Sequence, residues 1–492
     1  MFRSLVAVTI AAVLSAPAQA QNDSRFGPMF RWIPPDVNLF VAADLNAIYN
    51  SPLATKERWA STAPLNSFSP VIQFLLLGAR INPVTFQDMA EYGVAYVNTP
   101  ITMEQLAARE GGARDTIVDA DAVLSPRNAY FVSVAPFTIG MIFPALRQDA
   151  AKWVRFGRAN AQPQFSPQIQ SGISSIVRNT QFMLVLDLAD TIRAETIRPR
   201  LNDVKSLKGQ NLDSAAKVIA SVLSVRLDLA VTDSINGALT ITFGHDTAPI
   251  APVAKAFLQE VLARHGAGID EMENWAAEAK GSVVTLRGPL TEPSFRRLVS
   301  ILAPPAPQLD QGQVEPNNPL AAEIRLQASR VYFQSIQKLV DGLKNPPSRT
   351  RQNYQDFEMW YDRAGDAVGQ LPTANVDPDL LKFGQLAENS LKAIAASARG
   401  ENVQVQKAAN SFQFGIMNTG MWGPWGGGGW HGRRGGWGGG GIFLDTNLAD
   451  VNAAKQKAID AGTQARNDIW ANLMSEMDKI RQTMYDRFKT PF

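Results

Sequence analysis

DVNLFVAAD, residues 36–44, follows the turn pair Pro34-Pro35 and carries an apolar run of the kind found in buried strands. It ends in Asp44-Leu45 and feeds Asn46–Ala60, which reads as a helix interrupted at Ser51-Pro52. The same grammar returns in TQFMLVLD, residues 180–187, where Asp187-Leu188 closes the strand and Ala189–Val204 is helical in character. Two strands that each end in Asp-Leu and each lead into a helix predict a duplicated unit. The distance between them predicts two related lobes, since solenoid periods are far shorter.

The second unit continues with Val222–Val231, in which Val225, Leu227 and Leu229 alternate with Arg226 and Asp228. Asp233–Gly237 turns the chain and Ala238–Phe243 alternates again, so a hairpin with one wet face is expected. Pro249–His265 reads as an amphipathic helix closed by Gly266, Ser282–Arg287 as a strand and Glu292–Leu302 as a helix. The first unit offers looser counterparts: a helix at Val71–Leu77, a strand at Gly93–Val97, and the uncharged run Ala129–Leu146 between Arg127 and Arg147. That run reaches the lower limit for a membrane-spanning helix. Pro136, Gly140 and Pro144 interrupt it, and two buried strands fit it better. Mixed strands and helices with antiparallel hairpins predict an α+β two-lobed domain rather than a doubly wound parallel sheet.

Ala303–Pro319 carries five prolines and almost no apolar mass, which marks residues 304–319 as a semi-extended linker. Beyond it the period changes. Ala328, Tyr332, Ile336, Leu339 and Leu343 lie at helical spacing and stop at Pro346-Pro347. Tyr354, Phe357, Tyr361, Ala364, Val368 and Leu371 repeat it before Pro372. Asp377 is placed to cap a third helix whose first turn holds Pro378 and whose stripe runs from Leu380 to Ala398. Ile469, Leu473, Met477, Ile480, Met484 and Phe488 mark a last helix that starts near Asp445. The expected assembly is an elongated all-α antiparallel helical bundle with coiled-coil-like seams. The domain plan is therefore 21–175 and 176–303 for the lobes, 304–319 for the linker and 320–492 for the helices.

Met1–Ala20 has a basic start, a short apolar core and Ala18-Gln19-Ala20, the three parts of a secretory signal peptide cleaved after Ala20. The expected location is secreted or periplasmic. With no cysteine, neither a lipid anchor on a thiol nor a disulfide framework is available, and stability must come from core burial. A net charge of +2 with 19% charged residues argues against a nucleic-acid partner held by a strong overall field.

Chemistry is sparse. The three histidines, His245, His265 and His431, have no metal-ligand spacing, so no metal and no cofactor is expected. Ser214-Ala215-Ala216-Lys217 and Ser335-Ile336-Gln337-Lys338 match the Ser-x-x-Lys spacing of penicillin-recognising hydrolases, but the companion motifs are missing. Both are expected on helix surfaces. Asp44 and Asp187 are the carboxylates that the repeat would place symmetrically, and helix capping accounts for them. An extracytoplasmic hydrolase would need them to converge with His245 between the lobes.

The most unusual stretch is Gly420–Gly441, GMWGPWGGGGWHGRRGGWGGGG, which holds 13 of the 36 glycines and four of the ten tryptophans. Its glycines deny it a packed core, yet Trp422, Trp425, Trp430 and Trp437 are costly residues to leave in water without purpose. Together with Arg433 and Arg434 they form the expected binding surface, at the tip of a helical arm. Suitable partners are an envelope protein, a glycan or a membrane surface, and the helical faces could pair two copies of the chain. An inert tether is the bland reading of the same residues.

The chain as a whole resembles an uncharacterised family of secreted bacterial proteins of the planctomycete type. The resemblance rests on NLFVAADLNAIYNSPLATKERWA (38–60), DTAPIAPVAKAFLQEVLARHGAGIDEMENW (246–275), SVVTLRGPLTEPSFRRLVSIL (282–302), QDFEMWYDRAG (355–365) and MYDRFKTPF (484–492). It implies export and this domain order, and it assigns no site residue. The Gly/Trp segment departs from that pattern. The expectation is an exported, non-enzymatic interaction or scaffold protein of the cell envelope. The alternatives are a hydrolase with its site between the lobes and a polysaccharide-binding protein, which would need aligned aromatic side chains.

Overall fold

The computed structural model describes residues 26–62, 68–82, 88–160, 164–174, 180–300, 321–344, 357–398 and 448–492, with side chains of the last segment described from 466. Residues 1–20, 304–319 and 420–441, the expected leader, linker and Gly/Trp segment, lie outside them.

Strands β1 (Leu39–Asp44), β2 (Ile72–Ile81), β3 (Asp88–Val97), β4 (Ala113–Ile117), β5 (Ala120–Ser125), β6 (Ala129–Ala135) and β7 (Thr138–Phe143) come from the first half of the chain. Strands β8 (Phe182–Asp187), β9 (Val222–Val231), β10 (Ile235–Phe243), β11 (Ala276–Lys280) and β12 (Val283–Leu290) come from the second. The helices are α1 (Leu45–Tyr49), α2 (Pro52–Lys56), α3 (Trp59–Thr62), α4 (Met103–Glu110), α5 (Arg147–Ala159), α6 (Pro167–Ser174), α7 (Ala194–Ile197), α8 (Leu212–Ala220), α9 (Ala254–Arg264) and α10 (Glu292–Val299). They are followed by α11 (Ala321–Lys344), α12 (Glu358–Gly369), α13 (Pro378–Ala398) and α14 (Leu448–Phe488).

The expected pair of lobes is corrected by the sheet. All twelve strands form one antiparallel sheet in the order β11-β12-β10-β9-β8-β1-β2-β3-β7-β6-β5-β4. β1 and β8 are its central pair, with Leu39 opposite Leu186 and Ala43 opposite Phe182. Bonds from Asp44 N–H to Gln181 O (2.7 Å) and from Asp187 N–H to Asn38 O (2.8 Å) extend the ladder at both ends. Both strands are apolar on both faces, so leaving either as an open edge would expose apolar surface and unpaired backbone. Pairing them with each other removes both edges, and that is why separate lobes do not persist. Outward from this join the order runs β2-β3-β7 on one side and β9-β10-β12 on the other.

Two further corrections concern single segments. Of residues 71–77, expected as helix, 72–77 belong to β2. This strand is buried on both faces, so no period of two is legible in it. Of the run 129–146, residues 129–143 form the β6–β7 hairpin, and among the described residues no helix is long and apolar enough to cross a membrane.

The pleat of β1 sorts the core into two layers. Phe40 and Ala42 face a layer built with Phe30, Trp32, Trp153 and Ile169 from the 3-10 helix Gly27–Trp32, α5 and α6. Trp153 Nε1 donates to Trp32 O (2.6 Å), and Gly157 lets α5 come so close that a Cβ there would overlap the Trp32 ring. Val41 and Ala43 face the other layer, which continues without a break into Phe295 of α10, Phe333 of α11, Trp360 of α12, Leu391 of α13 and Leu473 of α14. The helices after residue 320 thus share one core with the sheet.

α13 and α14 run antiparallel. Arg466 donates to Ser397 O (3.3 Å), while Arg487 pairs with Asp377 and with Asp379 (2.7 Å). Asp377 Oδ1 also accepts from Asp379 N–H (2.9 Å), as its capping position predicts. The part of α14 before Arg466 adds about 27 Å of helix at 1.5 Å per residue.

A carboxylate on α9 pins the segment before it. Glu260 accepts from the backbone N–H groups of Lys205 (2.9 Å) and Ser206 (2.8 Å) and pairs with Arg264 (2.7 Å). Burial alone would raise its pKa, but these bonds outweigh it and hold it down to about 2. A carboxyl depressed below its unfolded value of about 4.3 stabilises the fold fully above that pH. Its contribution fades as pH falls from about 4 toward 2. Glu260→Gln should therefore be less stable than the parent at pH 6, and the gap should close by pH 2 in denaturant melts. An unchanged gap across that range would refute the assignment.

Candidate functional site

Trp422, Trp425, Trp430, Arg433, Arg434 and Trp437 lie outside the described residues. The residues that a hydrolase would need are described, and they do not meet. Asp44 accepts from Ala47 N–H (2.8 Å) and caps α1, and Asp187 accepts from Ala189 N–H (3.0 Å). The antiparallel join puts these two carboxylates at opposite ends of the central strand pair. Asp44 sits beside Gln181, six residues from Asp187, which is ~20 Å along a strand. His245 is exposed just past the end of β10, at the Asp187 end of the sheet, and its N–H donates to Ser221 Oγ (3.2 Å). Among the described residues no group of three His, Asp or Glu side chains could hold a metal ion.

The two Ser-x-x-Lys matches part company. Ser214 lies in the first turn of α8, where its N–H donates to the Asn211 side chain (3.0 Å). Ser335, expected on a helix surface, is buried on α11, while Lys338 pairs with Glu292 of α10 (2.9 Å). Ser335 lies next to the buried stripe of Tyr332, Ile336 and Leu339, which turns it into the core. A second buried polar group ties α10 to the 3-10 helix Asp270–Asn274. Glu271 accepts from Thr291 Oγ1 (2.5 Å) and Ser294 Oγ (2.7 Å), and Arg297 donates to Ser294 Oγ (2.8 Å). Arg297 is 8% exposed, and burial lowers its pKa in spite of Glu271 and Asp270 nearby. These groups hold α10 in place.

The surface that remains is aromatic. Phe74 of β2 and Tyr96 of β3 are cross-strand partners with ring centroids 6.2 Å apart. Phe137, in the turn between β6 and β7, lies 6.3 Å beyond Tyr96. Phe26, buried, supports Phe74 edge-on at 5.7 Å. Phe74 and Tyr96 are half-buried and Phe137 is 43% exposed, so the row rises from the core into solvent. The sheet register sets the spacing, because directly opposed residues on neighbouring strands project to the same face.

Phe137 has φ +58°, a left-handed conformation that favours glycine. The turn is secured by bonds from Val97 N–H to Phe137 O (2.9 Å) and from Thr138 Oγ1 to Pro136 O (3.1 Å). Glycine would serve the turn with less strain, so a large aromatic left in solvent there is not a packing solution. No motif announces this row, since its members come from three separate segments. The one signal in the sequence is Pro136-Phe137 itself, a turn pair with phenylalanine where glycine would be usual.

No family model matches the chain, and no curated protein matches it. Among solved structures, crystal forms III and I of TP0453 are similar at 12% identity and TM-score 0.34, covering 56% and 55% of this chain and 98% and 96% of theirs. Crystal form IV of TP0453 is similar at 10% identity and TM-score 0.30. At that overlap the likeness decides neither the architecture nor the role of this chain.

Proposed function

We propose that this is an exported, non-enzymatic interaction or scaffold protein of the cell envelope, as its leader and its resemblance to secreted planctomycete-type proteins imply. In this reading the two halves of the sheet are copies of one unit and form a rigid base. The helices after residue 320 pack on that base, the N-terminal part of α14 extends as an arm, and the Gly/Trp segment 420–441 is its binding tip. The observation that carries the reading is the overhang of α14. The chain between Ala398 and Leu448 joins two antiparallel helices, and α14 extends about 27 Å beyond the Arg466–Ser397 contact on the side where that connection attaches. A Trp-rich connection leaving that end of α14 supports contact with a protein, a glycan or a membrane surface.

The test is capture of envelope components by the purified chain, intact and with residues 420–441 deleted. The intact protein should retain a component that the deletion loses. Equal retention by both forms would reduce the segment to a tether and overturn this mechanism.

A further inference from the structure

We propose that Phe74, Tyr96 and Phe137 form a stacking platform for a neutral polysaccharide strand. The inference goes beyond the binding reading above, because it places a ligand on the sheet, away from the Gly/Trp segment.

Three observations carry it. The first is the row itself, with three rings at a near-constant spacing of 6.2 and 6.3 Å. A pyranose ring presents C–H bonds of slight positive charge on its faces, and these are attracted to the negative face of an aromatic ring. The second is conformational: Phe137 keeps a left-handed backbone and an exposed ring where glycine would be free of strain.

The third is charge. On β2, β3, β6 and β7, the charged residues nearest the row are Arg80 and Glu91. They lie six residues from Phe74 and five from Tyr96, or ~20 and ~17 Å along their strands. Asp44, opposite Phe74, is buried and spends its carboxylate on the cap of α1. The exposed polar residues that follow Tyr96 are Asn98 and Thr99, which are neutral and able to bond hydroxyl groups. A surface for anionic lipid or for a charged peptide would carry complementary charge. Among the described residues of these four strands no such charge stands beside the row, and a neutral sugar chain is the occupant that matches.

The experiment uses the full mature chain and three solid probes: amylose resin, microcrystalline cellulose and chitin beads. The parent should be retained on at least one and released by the matching soluble oligosaccharide. Phe137→Ala should lower retention at least tenfold. Phe137→Gly should lower it equally while its melting temperature holds or rises, because glycine relieves the left-handed position. That pairing separates a lost ligand contact from a damaged fold. The form lacking residues 420–441 should be retained like the parent.

No retention of the parent, or parent-like retention of both Phe137 variants, would overturn the proposal. So would loss of retention on deleting 420–441, or binding of the row to neutral phosphatidylcholine vesicles in place of the sugars. Envelope capture that survives Phe137→Gly while sugar retention never appears would leave the tip reading standing and remove this one alone.

Discussion

Trp360→Ala should lower the unfolding free energy by about 3–5 kcal/mol, the range for emptying a large aromatic site in a packed core. Trp360 is 1% exposed, and its Nε1 donates to Gly268 O at 2.7 Å, joining α12 to the segment after α9. Beside it, Met359 N–H donates to Gly266 O at 3.1 Å. Gly266 has φ +68°, and a Cβ there would press on the backbone of Met359. The alanine variant therefore leaves both a cavity and an unpaired buried carbonyl. Trp360→Phe, which keeps most of the ring, should cost about 1–3 kcal/mol through the lost hydrogen bond. Denaturant titration followed by circular dichroism would measure both. Because one core spans sheet and helices, the whole transition should move together. A loss below 1 kcal/mol for the alanine variant, or early melting of the helices alone, would show that the contact does not couple them.

Trp59→Ala should cost a similar amount, about 3–5 kcal/mol, at a different junction. Trp59 is fully buried, stacks on Phe295 of α10 at 5.8 Å and lies under the Arg296 guanidinium at 5.3 Å. Arg296 pairs with Glu292 (2.8 Å), which also holds Lys338 of α11 (2.9 Å). Removing the indole empties a site next to a desolvated ion pair, so the ionic contacts lose the apolar cover that strengthens them. Trp59→Phe should recover most of the loss. If alanine and phenylalanine destabilise equally, stacking on Phe295 is not what Trp59 contributes.

The long elements with one wetter face are legible. The alternation of Val225, Leu227 and Leu229 with Arg226 and Asp228 marks β9, and the stripe from Leu380 to Ala398 marks α13. β2 was misread because burial on both faces erases the alternation on which strand recognition depends. β4, β5 and β11 were not anticipated, being short strands toward the two edges of the sheet. The joining of the halves was out of reach for another reason. Nothing local in Leu39–Asp44 says that its second neighbour is Phe182–Asp187 rather than a strand of its own half. The aromatic row was hidden likewise, since only the register of β2 on β3 brings Phe74 to Tyr96.

The central pairing also sets an order of events for the growing chain. Val41 meets Leu184 across the middle of the sheet, so its closure is a contact of high sequence separation and a slow, late step. Until β8 has been synthesised, the first half must carry β1 as an apolar strand with one bare edge. That is the species most open to wrong pairing with another nascent chain, and therefore the one a holding chaperone would need to shield.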